Sequence, residues 1–176
     1  MFCCRRKRSP LVPSVRFAVG SADLRPAVWN NVEAVRCDCR SLQRRGWGQH
    51  DGRALESIVY VVNDENFGYA LRWMKQCILD AYEHNRDRNF IFVEAFCRSG
   101  LHRSVAMVTI TAVLLQADGV SAVWDSGSTD FWRTWKSPCS CQECTFVWTP
   151  ALLEQRLGPE NWLRVRDAWG ERLSFM

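Results

Sequence analysis

Residues 97–104 read Cys-Arg-Ser-Gly-Leu-His-Arg-Ser, set between the β-type run Phe90-Ile-Phe-Val-Glu-Ala-Phe96 and the apolar run Val105 to Leu115, which suits a helix. A tight polar loop between a strand and a helix turns its backbone N–H groups and the positive helix end toward one point. That point is a seat for a phosphate or another dianion. The side chains fit such a seat: Gly100 permits a positive φ and a close backbone approach, and Arg103 and Arg98 can each fork donors onto phosphate oxygens. Ser99 and His102 belong to the same ligand-binding set. Ser104 can cap the helix or donate to the Cys97 sulfur. Cys97, in that positive field, should have a lowered pKa and be partly thiolate. It is then either a nucleophile or a small buried residue beneath a structural turn.

The string Cys-x-x-Gly-x-x-Arg-Ser resembles the phosphate loop of cysteine-dependent tyrosine and dual-specificity phosphatases. That resemblance implies that Cys97 attacks phosphorus and Arg103 holds the equatorial oxygens. By sequence the best-placed acid for the leaving oxygen is Asp64, in a polar turn before a helix. The chain departs from the pattern in carrying Phe96 where those enzymes have a His, and His102 where they have a small residue.

His102-Arg103-Ser104-Val105 after a Cys and a Gly also looks like the Cys-Thr-Gly-Gly-x-His-Arg-Ser-Val loop of RapZ-type C-terminal domains. Val35-Arg-Cys-Asp-Cys-Arg40 is similar to their strand-ending Asp-x-Arg, which adds Arg40 to the ligand-binding set. This resemblance spans roughly residues 15–125, with Ser99 in place of the first of the family's paired glycines. It implies binding of a phosphorylated small molecule or of RNA. The P-loop kinase-like half of the bacterial members has no counterpart here, because no Gly-x4-Gly-Lys-Ser/Thr string occurs.

The elements that must position these groups follow from pattern. Val32 to Cys39 reads as a strand and Arg40 to Gly52 as a Gly-rich loop. Leu55, Ile58, Val59 and Val62, then Phe67 to Ala81 behind an Asn63 or Asp64 cap, have helical spacing. The Phe90 strand, the loop and its helix follow, and Val120 to Trp124 reads as another strand. Strands alternating with helices predict a single three-layer α/β domain with a mostly parallel sheet and its ligand at the carboxyl ends of the strands. Arg40 and Cys97 both fall at such ends. Domain limits are drawn as a basic disordered segment at 1–14, the α/β domain at 15–125, and a Cys- and Trp-rich extension at 126–176. Trp124 and, in that extension, Trp132, Trp135, Trp148, Trp162 and Trp169 are read as core, and residues 150–175 as two helical stretches split at Gly158-Pro159.

At 176 residues with 47% hydrophobic composition the chain can bury a real core. Its net charge of +4 resembles a nucleic-acid signal, but Arg5, Arg6, Lys7, Arg8 and Arg16 lie in the first 22 residues, which hold no acid. The remainder carries 18 basic against 19 acidic groups, so charge alone predicts no broad cationic face. A small phosphorylated ligand of sugar-phosphate or nucleotide type fits better, with RNA contact left to Arg36, Arg40, Arg44 and Arg45. Cys3 and Cys4 beside the basic run allow acylation and peripheral membrane attachment, a nuclear signal, or a disordered start. No apolar run is long enough to span a bilayer or follows the charges as a signal peptide would. Nine cysteines without a secreted-scaffold spacing read as reduced thiols in the cytosol or nucleus.

Cys139, Cys141 and Cys144 form a second constellation. They supply either three ligands of a structural zinc site, completed by Cys37, Cys39 or a His, or three free thiols. His50 is read as solvated or as reaching the phosphate site, and His84 as solvated. No other cofactor is predicted. Loss of the metal is expected to loosen only the Cys segment, since the phosphate loop belongs to a different element.

Overall fold

The computed structural model describes residues 13–23, 26–29, 31–43, 50–85, 88–124, 139–173 and 175. Arg44, Arg45, Trp132, Trp135 and the basic segment with Cys3 and Cys4 lie outside the described residues.

The chain forms a single α/β domain. Its main sheet has the order β4 (Val35–Asp38), β5 (Phe90–Cys97), β1 (Ser14–Ser21), β6 (Ala122–Trp124), and every neighbouring pair is parallel. Strand β1 was not among the strands read from the sequence, yet it is central: Val15, Phe17 and Val19 alternate onto the helix-covered face, and Ala18 is buried on the other. A two-stranded ribbon, β2 (Val28–Trp29) with β3 (Val32–Glu33), leads into β4, so the expected strand over 32–39 is broken at Ala34. Ala27 and Ala34, flanking that ribbon, pack with Ala18 and Phe92 on the second face.

The helices cover the first face. Helices α1 (Leu55–Val62) and α2 (Phe67–His84) join β4 to β5, and α3 (Arg103–Ala117) joins β5 to β6. Val105 to Ile110 of α3 are buried at every position, as expected of a helix apolar all round. Asp64 does not cap α2 at its first residue: its carboxylate accepts from the Asn66 N–H (2.9 Å) and its carbonyl from the Phe67 N–H (3.1 Å), which organises the turn ahead of the helix. Helix α4 (Pro150–Trp169) starts at Thr149, whose hydroxyl accepts from the Leu152 N–H, and breaks where expected, at Gly158 (φ 76°) before Pro159. Leu153, Leu157, Val165 and Trp169 complete the core, and the Trp169 indole donates to the Asp118 carboxylate (2.8 Å). Of the described tryptophans from the expected core set, Trp148 and Trp169 are buried, while Trp124 and Trp162 are half-buried. No described helix is long and apolar enough to cross a membrane.

Candidate functional site

The 97–104 loop sits where β5 ends and α3 begins, fastened on both sides. Ser21 at the end of β1 donates its hydroxyl to the Arg98 carbonyl (2.9 Å), the Ala22 N–H reaches the Cys97 carbonyl (3.1 Å), and the Gly52 N–H reaches the Leu101 carbonyl (3.0 Å). Gly100 takes the positive φ expected of it, 65°. The loop thereby aims several N–H groups at the Cys97 sulfur. The Gly100 N–H lies 3.2 Å from it and the Ser104 hydroxyl 3.4 Å, and the Ser99 and Ser104 N–H groups point the same way.

Burial alone would push the Cys97 thiol up. The Ser104 donors, the Arg103 guanidinium and the Ser99 N–H outweigh it, so the net shift is downward. Ser104 serves the sulfur, not a cap, and no side chain caps α3 at His102. Cys97 is fully buried.

Three arginines converge beside this loop. Arg40, Arg98 and Arg103 line a cavity of about 370 Å³ together with Ser41, Leu42 and Gln43, at the carboxyl ends of β4 and β5. Arg103 is buried and donates from one terminal nitrogen to the carbonyls of Leu42 (2.7 Å) and Arg40 (3.3 Å), so it also clamps the 40–42 segment over the helix start. Arg40 forks onto Asp38 (2.6 Å) and, like Arg36, lies over the Phe96 ring. That contact gives Phe96 a physical role at the position where a His was absent. Arg40 holds the Asp38 carboxyl below its ordinary range against the effect of burial. Asp38 faces Arg40 and Arg103, and Asp23 acts on Arg40 from farther out, so with Arg98 the three lining guanidiniums leave the cavity rim cationic.

On the other side of the Leu42–Gln43 segment lies a larger cavity of about 760 Å³, but Glu56, Asp64, Glu65 and Glu143 line it against Arg156, which disfavours an anion. Asp64 is there, not in the arginine cavity, and its carboxylate accepts from the Gln43 N–H (2.7 Å).

The second constellation also closes in space. His50, Cys139, Cys141 and Cys144 bring their ligand atoms within 4.8 Å of one another. The His50 Nδ1 stands 3.2 Å from the Cys141 sulfur and 3.8 Å from that of Cys144. A tetrahedral zinc with sulfur and nitrogen ligands has donor–donor edges of roughly 3.6–3.8 Å, so small shifts would complete the site. His50 thus belongs to the thiols and not to the phosphate loop. Cys37 and Cys39 are not ligands: both are buried in the core, where Cys37 faces Cys39 and Cys77 and its thiol is pushed up. The Cys141 thiol is lowered to about 7 by the Cys144 N–H and its neighbours.

Sequence reading missed the turn joining the two sites. Asp51 is buried, accepts from Arg53 (2.7 Å) and from the Cys139 N–H (3.2 Å), and precedes Gly52. A Cβ on Gly52 would meet the His102 carbonyl oxygen at 2.0 Å and the Ala106 nitrogen at 2.6 Å. Gly52→Ala is therefore expected to cost about 2 kcal/mol through overpacking, seen as a Tm lowered by about 4–8 °C. An unchanged Tm would mean that the turn yields freely. No protein-family model, curated protein or solved structure matches this chain.

Proposed function

We propose that the chain is a phosphate-binding domain, seating the phosphate of a small sugar-phosphate- or nucleotide-type molecule, or of RNA, in the Arg40–Arg98–Arg103 cavity. The observation that carries this reading is the meeting of three guanidiniums in one small cavity beside the N-terminus of a long helix. Arg98 is exposed and is not needed for packing, so it separates binding from folding. Arg98→Ala should weaken orthophosphate binding by about tenfold, roughly one charge-assisted hydrogen bond, with Tm unchanged. Calorimetric titration that finds equal affinity in the two proteins would remove the basis for the reading. A steep fall of affinity with salt for an RNA ligand would favour RNA over a small molecule.

A second reading, a cysteine-dependent phosphatase, is favoured by the lowered Cys97 thiol and the N–H groups trained on its sulfur. The thiolate would attack phosphorus, the ester P–O bond would break, a proton donor would serve the leaving oxygen, and water would release phosphate. Burial of Cys97 and the placement of Asp64 in the neighbouring cavity make it the lesser of the two. Aryl phosphate turnover that disappears in Cys97→Ser would reverse that order.

The thiol cluster is read as a structural zinc site. Three thiolates and one imidazole form a donor set suited to zinc, and the four come from two segments far apart in sequence.

A further inference from the structure

We propose that a metal ion at His50, Cys139, Cys141 and Cys144 holds the 97–104 loop in its binding shape, so that phosphate affinity depends on metal loading. This coupling rests on both the phosphate and the zinc readings above. Its physical basis is the turn from His50 to Ala54, which the two sites share.

His50 is a ligand, and Asp51, next in the chain, is bonded to the Cys segment several times over. Its N–H faces the Cys144 sulfur, and its carboxylate accepts from the Cys139 N–H and from Arg53. Arg53 donates in turn to the Cys139 carbonyl (2.7 Å), and the Trp148 indole donates to the Arg53 carbonyl (2.9 Å). The following residue, Gly52, holds the Leu101 carbonyl and has no spare room against His102. Two residues thus separate a metal ligand from the backbone of the anion loop. The expectation that the Cys segment and the loop are independent does not fit this contact.

A metal would tie the turn, through one bond to His50, to the 139–144 segment, through three bonds to its thiolates, where the cluster otherwise offers only sulfur contacts to His50 and to the Asp51 N–H. With the turn fixed, Leu101 and His102 are fixed, and the N–H groups of the loop keep their common aim. Without the metal, only the hydrogen bonds of Asp51, Arg53 and Trp148 hold the 139–148 segment to the turn, and the loop's anchor on the α1 side is weakened while those to Ser21 and Ala22 remain.

The test uses the full chain with inorganic phosphate as the probe. Zinc content is measured, and phosphate affinity is then determined for the metal-loaded chain, after chelator treatment, and after Zn²⁺ is returned. The expected result is about one zinc per chain, affinity at least about tenfold weaker on stripping, and full recovery. Hydrogen exchange should show peptides spanning 98–106 losing protection while those of β1 and β5 keep theirs. Arg53→Ala leaves all four ligands in place, so it should retain zinc yet bind phosphate more weakly, and it decides the matter even where the stripped chain unfolds. Equal phosphate affinity with and without metal, or in Arg53→Ala, overturns the coupling and leaves both underlying readings intact. A metal-loaded chain that binds no phosphate overturns the phosphate reading, and a chain that takes up no zinc overturns the zinc reading. Protection lost evenly across the sheet would make the metal a general stabiliser and overturn the loop-specific effect.

Discussion

Replacing Arg103 by alanine should lower the unfolding free energy by about 3 kcal/mol and abolish orthophosphate binding. Both effects trace to one guanidinium. It is 7% exposed and supplies donors to the carbonyls of Leu42 and Arg40, which alanine would leave without them. The buried Leu42 carbonyl, once unsatisfied, costs about 1–3 kcal/mol, the part-buried Arg40 carbonyl costs less, and the emptied volume adds to that. Relief of repulsion from Arg40 and Arg98 works the other way but is smaller, since both are exposed. A loss of about 3 kcal/mol corresponds to a Tm drop of about 6–12 °C for a chain of this size. Arg103→Lys keeps the charge but cannot reach two carbonyls with a planar fork, so it should fall between the two. Urea unfolding decides the point: a variant as stable as the parent would show that the 40–42 segment does not depend on the clamp.

Much of this site is legible in the sequence. The β5–loop–α3 unit follows from the apolar run of 105–115 and the position of Gly100, because those signals are local. Arg40 and Arg103 could be expected to approach, since parallel strands put their carboxyl ends on one edge.

What escaped was set by distant partners. The alternation of Val15, Phe17 and Val19 is plain in hindsight, but the central place of β1 comes from pairing with Phe90–Cys97, more than seventy residues away. No local feature says that His50 rather than Cys37 or Cys39 completes the thiol set, because the choice depends on how the turn of residues 50–54 packs against Leu101. Residue type marked Arg103 as a phosphate fork. Only the fold reveals that the same side chain also holds the backbone of the 40–42 segment.

Glu94 carries the other large effect. It is 1% exposed, 3.2 Å from the Arg36 guanidinium, and accepts from the Ala27 N–H (3.0 Å) on the sheet face away from the helices. A Cβ on Gly20, two residues beyond Ala18, the cross-strand partner of Glu94 on β1, would overlap the carboxylate. Glu94→Ala leaves Arg36 without its carboxylate and the Ala27 N–H without its acceptor. Breaking a buried pair costs about 3–5 kcal/mol. Arg36 is 23% exposed, which reduces the expected loss to about 2–4 kcal/mol. Arg36 also donates to the Ser21 carbonyl, and Ser21 anchors Arg98, so phosphate affinity should weaken too.

The pH dependence has a definite sign. Burial raises the Glu94 pKa above 4.5, and the Ala27 N–H and Arg36 offset this only in part. The folded state therefore binds more protons than the unfolded one above that pH, and the contribution of this carboxyl falls as pH rises through the interval up to its folded pKa. Glu94→Gln keeps an acceptor and does not titrate, so its stability relative to the parent should improve from pH 4.5 upward. Urea titrations of the pair at several pH values measure the trend. A parent that gains on the glutamine variant with rising pH would mean that the Arg36 pair, not burial, dominates the carboxylate.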